Sequence, residues 1–592
     1  MMRTVSYSTP IPGTLVRPVR TPADETDALS LLMDTSQLIA FDTETAGLGF
    51  HDELRLVQFG TDTEAFCFEP SRWKNMARLL ALRPNVCAHN AVFDAQHLAR
   101  FTGYTVNEVL RGVTDTQVLA YIVDPRTPPQ GIGHGLKALA GKYVDENAPD
   151  GDAALVARFK ELGFTKSTGF AGIDIDDPTY LMYAGLDCIM TVRLHNALME
   201  IIEQRHQTQL VEFDHKVLNV CAKMRERGFR VDLPYSLELA DELRADEEQH
   251  KLRAASLGVE NVNSNQQIIE ALLQRGHELT ERTEKGNIKV DKVVLSGLDD
   301  YLADEILGAK EAAKAFKSWV EPFLNSAHEG GRVRCNIKTG SVTYRLSASD
   351  PNMMNLPSGD WRIRRCLIPD EGNSIIASDF AQVELRTVAL LAQEQRMIDI
   401  FKQGTDLHDA TAASLFGADF TPHQRKLAKN TAFGLLYGGG PDTLARQAGV
   451  TRTEARRAIH DFYRAYPRIL RWSNNLIEEM KRGRPVLTTH SGRRIPIDHF
   501  KAYTATNYAV QSLACDIFRD ALIKLDDAGI ILLLPVHDEI IAQSRTEDAQ
   551  ETAAEIQRIM SDEIDGIPFP ADAHVVGPSW GHAYGAPEVV HV

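Results

Sequence analysis

The stretch DFAQVELR, residues 379–386, comes directly after the apolar run SIIAS and opens with Asp379. A second apolar run, ILLLPV, leads into Asp538 within PVHDEII, residues 535–541. The first pattern predicts a strand that ends at its aspartate, and the second predicts a strand, a tight turn and a strand. Separate carboxylates at strand ends can hold divalent metal ions. The two stretches therefore predict a metal-binding site in the C-terminal half of an α/β protein.

A helical segment between these aspartates carries a cationic and aromatic face. HQRKLAKNTAFGLLYGGG, residues 423–440, places Arg425, Lys429, Phe433 and Tyr437 at four-residue intervals. Positions four apart lie on one face of an α-helix, so these side chains form a stripe about 18 Å long. Such a stripe is often only a half-buried surface. Beside metal-binding carboxylates, it suits a nucleoside triphosphate.

The N-terminal third contains a second set of acids. QLIAFDTETAG predicts a buried strand in which Asp42 and Glu44 point to the same face. Asp94 lies near the start of a helical pattern, and Tyr183 and Asp187 lie four apart on one side of a later predicted helix. Each signal is weak by itself. Together they suit a two-metal centre that cleaves a phosphodiester.

Composition excludes several classes of protein. A chain of 592 residues with 43% hydrophobic and 24% charged residues predicts a soluble protein of several domains. The seven cysteines are dispersed without a CxxC pair, which argues against a zinc knuckle and a disulfide framework and favours the cytoplasm. The sequence has no N-terminal apolar segment typical of secretion and no apolar run long enough to span a membrane.

The formal net charge of −17, taken alone, argues against a nucleic-acid partner. However, phosphates respond to the local potential rather than to the total charge. KRGRPVLTTHSGRR, residues 481–494, and WRIRR, residues 361–365, are basic runs without an acid. A solvated surface is the alternative interpretation of either run taken alone.

Together with TYRLSASDPNMMNLP, residues 343–357, the C-terminal motifs closely resemble those of the family A DNA polymerases, the bacterial DNA polymerase I family. The ordered N-terminal acids resemble the three motifs of the DnaQ-like 3′–5′ proofreading exonucleases, although the segment 128–177 looks longer than usual. The resemblance implies an α/β multidomain fold, in which a ribonuclease H-like exonuclease domain precedes a right-hand polymerase domain. The expected divisions are the exonuclease at 1–200, the thumb at 201–335, the first part of the palm at 336–400, the fingers at 401–503 and the second part of the palm at 504–592.

The same resemblance implies roles for individual residues. In the exonuclease, the metal ligands are Asp42, Glu44, Asp94 and Asp187, and Tyr183 holds the attacking water. In the polymerase, the metal ligands are Asp379, Asp538 and the backbone carbonyl of Phe380, with Glu539 and Lys429 as further catalytic residues. The incoming nucleotide contacts Arg425, Lys429, Phe433, Tyr437, Gln382, His408 and Glu384, of which Glu384 is the steric gate against a ribose 2′-OH. The DNA is bound by Arg345, Asn352, Asn507, Gln511 and His537.

Three positions depart from the family pattern. Tyr344 replaces a usual glycine, while Met354 and Pro535 each replace a usual glutamine. A thioether cannot donate a hydrogen bond to a base edge, so one minor-groove contact is expected to be missing. Proline fits this hairpin if its strand lies at a sheet edge.

The expected function is DNA-templated extension of a primer by two-metal phosphoryl transfer, with 3′–5′ proofreading. Three alternatives are an exonuclease with a DNA-binding C-terminal half, a duplex-binding scaffold, and a polymerase with an inactive exonuclease. The complete sets of acids argue against all three. The expected cofactor is Mg²⁺, two ions per site, with Mn²⁺ as a substitute.

The exonuclease motifs begin close to the N-terminus, which predicts that no 5′-nuclease domain precedes them. The absence of that domain and the compact length favour a phage-type replicative enzyme, while a bacterial enzyme with a separately encoded 5′-nuclease would have the same pattern. The enzyme is expected to act as a monomer in the bacterial or host cytoplasm. Its expected partners are primer-template DNA, dNTPs and replisome proteins such as a helicase-primase and a single-strand binding protein.

Overall fold

The computed structural model describes residues 5–145, 151–283, 285–357, 359–436, 439–483 and 485–587. Nine helices and seven strands form the N-terminal region within these ranges. The strands are β1 (Tyr7–Ser8), β2 (Leu15–Pro18), β3 (Ile39–Thr45), β4 (Leu54–Gly60), β5 (Glu64–Phe68), β6 (Val86–Ala88) and β7 (Val113–Asp115). The helices are α1 (Pro22–Met33), α2 (Lys74–Ala81), α3 (Ala91–Thr102), α4 (Val106–Leu110), α5 (Thr116–Val123), α6 (Leu136–Tyr143), α7 (Gly151–Glu161), α8 (Lys166–Gly172) and α9 (Pro178–Gln204).

These strands form one mixed sheet in the order β1-β2-β5-β4-β3-β6-β7. Strand β3 lies inside the sheet, antiparallel to β4 and parallel to β6. Alternation along β3 buries Phe41 in the core beside Phe59 and Phe66, and it sends Asp42 and Glu44 to the opposite face. The sheet therefore presents its two acids on the same face, as predicted.

The next region is mostly helical. Helices α10 and α11 are joined by a short strand. Its elements are α10 (Thr208–Arg227), β8 (Phe229–Val231), α11 (Leu233–Ser256), α12 (Asn265–Gln274), α13 (Lys292–Ser296), α14 (Tyr301–Ala315), a π-helical turn (Phe316–Val320), α15 (Glu321–Asn325), a 3₁₀ turn (Ser326–Glu329) and β9 (Arg332–Val333).

The C-terminal region combines a second sheet with a group of helices. Its strands are β10 (Asn336–Lys338), β11 (Ser347–Ser349), β12 (Leu367–Ile368), β13 (Asn373–Phe380), β14 (Val486–Thr488), β15 (Arg494–Pro496), β16 (Ile531–Val536), β17 (Glu539–Arg545), β18 (Asp562–Ile564), β19 (Ile567–Phe569) and β20 (Ala571–Gly577). Its helices are α16 (Trp361–Arg365), α17 (Val383–Ala392), α18 (Gln395–Lys402), α19 (Leu407–Phe416), α20 (Pro422–Leu436), α21 (Pro441–Ala448), α22 (Arg452–Ala465), α23 (Pro467–Met480), α24 (Thr504–Asp527) and α25 (Ala549–Met560). Four 3₁₀ turns complete it, at Met353–Asn355, His499–Lys501, Thr546–Asp548 and Trp580–Tyr584.

The central sheet of this region is antiparallel, in the order β16-β17-β13-β20. Pro535 lies in β16 at the edge of the sheet, where a residue without an N–H donor is tolerated. The largest core cluster joins this sheet to α10, α11, α17 and α24. No helix among the described residues is both long and apolar enough to cross a membrane.

Candidate active sites

The N-terminal acids come together in one cavity. Strand β3 supplies Asp42 and Glu44, helix α3 supplies Asp94, and helix α9 supplies Tyr183 and Asp187. All five line a cavity of about 890 Å³. Three of the acids are largely buried, with exposures of 7% for Glu44, 2% for Asp94 and 7% for Asp187. The long segment 128–177 completes the walls of this cavity with Leu136, Lys166, Ser167 and Phe170.

Neutral donors hold three of these acids in place. Gln58 lies opposite Asp42 in the β3–β4 register, and its side-chain amide donates to Asp42 at 2.6 Å and to Glu44 at 3.3 Å. The backbone N–H and the hydroxyl of Thr43 donate to Asp94 at 3.0 and 2.6 Å. Neutral donors orient the carboxylates but leave their negative charge uncompensated.

The charges are correspondingly unfavourable without a cation. Burial raises the pKa of Asp42 to about 6. Burial, and then the neighbouring Asp42, raise the pKa of both Glu44 and Asp94 well above their ordinary values. Burial likewise raises the pKa of Tyr183, so its phenol stays protonated and can donate a hydrogen bond.

One charged group beside this cavity was not anticipated from the sequence. The Lys137 ammonium on α6 forms an ion pair with Asp187 and lies 4.9 Å from the ring centroid of Tyr183. Within the described ranges, no three His, Cys, Asp or Glu side chains are arranged as a metal-ligand set. The donors nevertheless fit a hard divalent cation, because four carboxylates share one cavity and burial disfavours the charges of Asp42, Glu44 and Asp94.

This electrostatic arrangement predicts how pH affects the metal-free protein. Raising the pKa of Asp42 from 3.8 to about 6 gives the folded state a stability contribution that is present below pH 3.8 and is lost as the pH rises through about 6. A bound cation competes with these protons. We therefore expect Mg²⁺ to raise the thermal unfolding midpoint more at about pH 7.5 than at about pH 5.5, with Asp42→Asn reducing the difference. An equal Mg²⁺ effect at both pH values would contradict this assignment.

The C-terminal acids are brought together by strand register. Asp379 near the end of β13 pairs with Glu539 at the start of β17, and Asp538 lies in the tight turn between β16 and β17. His537 makes that turn possible with a left-handed φ of 58°. The backbone N–H of Phe380 donates to the Asp538 carbonyl at 3.4 Å.

These acids also have raised pKa values. Burial, and then the neighbouring Asp379, raise the pKa of Glu539 to about 7. Burial is also the main cause of the raised pKa values of Asp379 and Asp538. Asp572 on β20 lies opposite Asp379 and further raises the pKa of Asp379. The carboxylate set fits divalent cations for the same reason as the N-terminal one.

A cavity of about 390 Å³ lies beside these strands. Gln382, with a left-handed φ of 58°, turns the chain from β13 into α17 and places Glu384 in the first helical turn. Glu384 forms an ion pair with Arg345, and Gln382 donates to Asp406 at 3.1 Å. The predicted site residues that line this cavity are Arg345, Gln382, Glu384, Phe433, His537 and Asp538.

Three residues of the predicted stripe, Arg425, Lys429 and Phe433, lie on helix α20. Arg425 pairs with Asp409 and lies 3.3 Å from Asp406, while Lys429 is exposed on the next turn. The ring of Phe433 lies 5.8 Å from that of the buried His408. The remaining predicted residue of the stripe, Tyr437, lies outside the described residues, as does Gly438 of the triple glycine.

The predicted DNA contacts differ in exposure. Asn352 is exposed beside a 3₁₀ turn, Asn507 is half-buried on α24, and Gln511 is 8% exposed one turn further along. Met354 packs in the main core at 5% exposure, so this departure from the family pattern fills an interior position.

Tyr344 shows why a glycine is usual at its position. Its φ of 62° is in the left-handed region, which is unfavourable for a tyrosine. Its ring is 1% exposed and lies 3.8 Å from the Arg493 guanidinium, and its hydroxyl donates to the Tyr121 carbonyl on α5 at 2.8 Å. These contacts offset the backbone strain and connect the exonuclease region to the residue before Arg345.

Family models match both halves of the chain. The model described as DNA polymerase family A matches residues 234–582, and the model described as 3′-5′ exonuclease matches residues 16–203. Such domains generally use divalent metals.

Known proteins match over almost the whole chain. The DNA polymerase of Mycobacterium phage D29 is 35% identical over 93% of this chain and 94% of its own length, and that of Mycobacterium phage L5 is 34% identical over 96% and 97%. The thermostable DNA polymerase I of Thermus aquaticus is 30% identical over 79% of this chain and 55% of its own length.

A solved structure of the POL domain of Pol1 from M. smegmatis, in complex with DNA primer-template and dNTP, has the same fold. It matches with a TM-score of 0.78 and 22% identity, over 96% of this chain and 99% of that chain. The predicted α/β architecture, a 3′–5′ exonuclease domain followed by a polymerase domain, is thus confirmed. The chain belongs to the family A DNA polymerases and is a DNA-directed DNA polymerase with a 3′–5′ exonuclease domain.

Proposed function

We propose that this polymerase extends primers at a site organised by Asp379 and Asp538, and that it proofreads at the separate cavity lined by Asp42, Glu44, Asp94 and Asp187. The register of β13 and β17 is the observation that supports the polymerase site, because Asp379 pairs with Glu539 directly after the turn that contains Asp538. Asp538 and Glu384 line the same cavity of about 390 Å³, which we call the Glu384 cavity.

Mg²⁺ is the proposed cofactor at both sites, two ions at each, with Mn²⁺ as a substitute. In the polymerase site, Asp379, Asp538 and the carbonyl of Phe380 would hold the ions, with Glu539 nearby. In the exonuclease site, the four carboxylates would do so. Bound ions supply charge stabilisation for the attacking and leaving oxygens of phosphoryl transfer.

The side chains around the polymerase site position the nucleotide. Arg425 and Lys429 neutralise the triphosphate, and Phe433 packs on the sugar and base with His408 behind it. Tyr437 is outside the described residues, and the family resemblance alone assigns it to the templating position. Arg425 is held by Asp406 and Asp409 in this structure, so nucleotide binding exchanges those partners for phosphate. Gln382 also contacts the incoming nucleotide, and Glu384 excludes nucleotides that carry a ribose 2′-OH.

The DNA contacts place the primer end. Arg345 and His537 both line the cavity that contains Glu384 and contact the primer terminus, and Asn352, Asn507 and Gln511 contact the primer-template junction. Such contacts read no sequence, because the template selects each nucleotide by base pairing. Because the protein contacts mainly the charged phosphates, DNA binding is salt-dependent.

The exonuclease reaction uses a different arrangement. Tyr183, whose raised pKa keeps its phenol protonated, orients the attacking water. Gln58 and Thr43 hold the acids in place during the reaction. The likeness to phage polymerases supports a replicative role in phage DNA synthesis, in the cytoplasm of the host. The enzyme is proposed to act as a monomer on primer-template DNA with dNTPs, alongside replisome proteins such as a helicase-primase and a single-strand binding protein.

Removal of divalent cations tests this proposal. With a 5′-labelled primer on a longer template, we expect extension when Mg²⁺ and dNTPs are present and shortening when dNTPs are omitted. EDTA is expected to stop both reactions, and excess Mg²⁺ or Mn²⁺ to restore them. Persistence of either reaction in EDTA would contradict the metal assignment. Shortening without any extension would contradict the polymerase assignment.

A further inference from the structure

We propose that the turn before α24, Asp498 to Tyr503, is a stacking surface for the unstacked bases of the single-stranded template. The proposal deepens the proposed function and rests on it in one respect, namely that α24 borders the primer-template junction. We name this segment the aromatic turn.

The aromatic turn exposes apolar rings that the fold does not need. Phe500 is 83% exposed, and every other phenylalanine and tryptophan in the described part of the chain is buried or half-buried. Tyr503 is 54% exposed. The ring of His499 lies against Phe500, with 3.9 Å between the centroids. An exposed aromatic cluster of this kind is typical of a binding surface rather than of an ordinary solvated one.

Hydrogen bonds and packing fix the backbone that carries these rings. The Asp498 carboxylate accepts from the backbone N–H of Phe500 at 3.0 Å, and the Asp498 carbonyl accepts from that of Lys501 at 2.8 Å. Ala502 and Ala505 anchor the other end in a core with Ile495 and neighbouring residues. A backbone fixed in this way needs little further ordering when a base stacks on one of the rings.

The position of Tyr503 points to the template. Tyr503 is the N-cap of α24, four residues before Asn507 and eight before Gln511, so the three lie along one face of the helix. Along this face, exposure increases from 8% at Gln511, through the half-buried Asn507, to 54% at Tyr503. The face thus leads from the predicted junction contacts out to solvent, where the strand beyond the duplex has bases free to stack.

The surrounding charge suits a nucleic acid. Lys501 within the turn, Arg494 on the preceding strand and Arg482 just after α23 are exposed, whereas Lys481 beside Arg482 pairs with Glu478 at 2.6 Å. These cations lie in a chain whose formal net charge is −17. Cations that follow a backbone, together with aromatic rings that accept any base, are the features by which proteins bind single strands. Duplex DNA fits less well, because its base faces are already stacked.

Two fluorescence measurements in EDTA, which stops the exonuclease, test the proposal. The first compares the affinity for a primer-template with a single-stranded template overhang and for a blunt duplex. We expect Phe500→Ala and Tyr503→Ala each to weaken binding of the overhang substrate by about 10-fold, with blunt-duplex affinity changed by less than about twofold. The second places 2-aminopurine in the overhang, where wild-type protein is expected to quench its fluorescence and the variants are not.

Matched variants separate stacking from other effects. Tyr301→Ala removes an equally exposed tyrosine (56%) on α14 and is expected to change neither signal. Phe500→Trp is expected to keep both signals, and Phe500→Leu, which is apolar without an aromatic face, to lose both. Unchanged overhang affinity in the alanine variants, an equal loss on blunt duplex, or self-association of the wild type that the variants abolish would each overturn the proposal. Failure of the wild type to extend primers would instead show that the proposed function is wrong.

Discussion

Replacement of Asp379 by alanine is expected to lower the rate of nucleotide incorporation by at least about 10³-fold, because it removes several kcal/mol of transition-state stabilisation. A rate loss of this magnitude is expected because Asp379 lies within the proposed metal site, near the end of β13, opposite Glu539 and beside the turn that contains Asp538. Single-turnover incorporation of one dNTP by rapid quench measures the chemical step directly. Exonuclease activity of the same variant is expected to remain within about twofold of wild type, because its acids lie in another domain.

Asp572→Ala is the matched control for this prediction. Asp572 is an exposed acid that pairs with Asp379 across β13 and β20 and raises its pKa, but it lies outside the predicted ligand set. We expect its removal to slow incorporation by less than about 10-fold. Equal losses for the two variants would contradict the assignment of Asp379 as a metal ligand.

Arg493→Met is expected to produce the largest loss of stability, about 3–5 kcal/mol in the free energy of unfolding. Arg493 is fully buried, donates twice to Asp214 at 2.8 Å, and donates through Nε to both carboxylate oxygens of Asp516 at 2.9 and 3.2 Å. Arg519 donates to the same Asp214 at 2.7 Å. Methionine occupies a similar volume but leaves buried carboxylates without their main counter-charge. Urea unfolding followed by tryptophan fluorescence measures the effect.

The neighbouring residue offers a control of the same chemistry. Arg494 is exposed on β15, and Arg494→Met is expected to change the free energy of unfolding by no more than about 0.5 kcal/mol. If the two variants had equal stability, the buried ion-pair network would not connect α10, the β14–β15 hairpin and α24 in the way that we describe.

Local patterns predicted the elements that carry the acids proposed to be catalytic. The apolar runs before Asp379 and around Asp538 form β13 and the β16–β17 hairpin, and the spacing of Arg425, Lys429 and Phe433 places them on one helix. These predictions succeed because alternation and four-residue spacing are properties of neighbouring residues. The prediction that Pro535 requires an edge strand also agrees with its place in β16.

Contacts between distant segments could not be predicted in the same way. No local signal indicates that Lys137 pairs with Asp187, or that Asp572 lies beside Asp379. Tyr344 was recognised as a departure from the family, but its contact with the Tyr121 carbonyl joins residues 223 positions apart. Such pairs depend on how whole domains pack, which periodicity does not encode.

The most direct test of two independent sites is a gel assay of a 5′-labelled primer on a longer template in Mg²⁺, with and without dNTPs. Wild type, Asp379→Ala and Asp42→Ala are compared side by side. We predict that the Asp379 variant loses only extension and the Asp42 variant loses only shortening. Loss of both reactions in either variant, or of neither, would contradict the account of two separate metal sites in one chain.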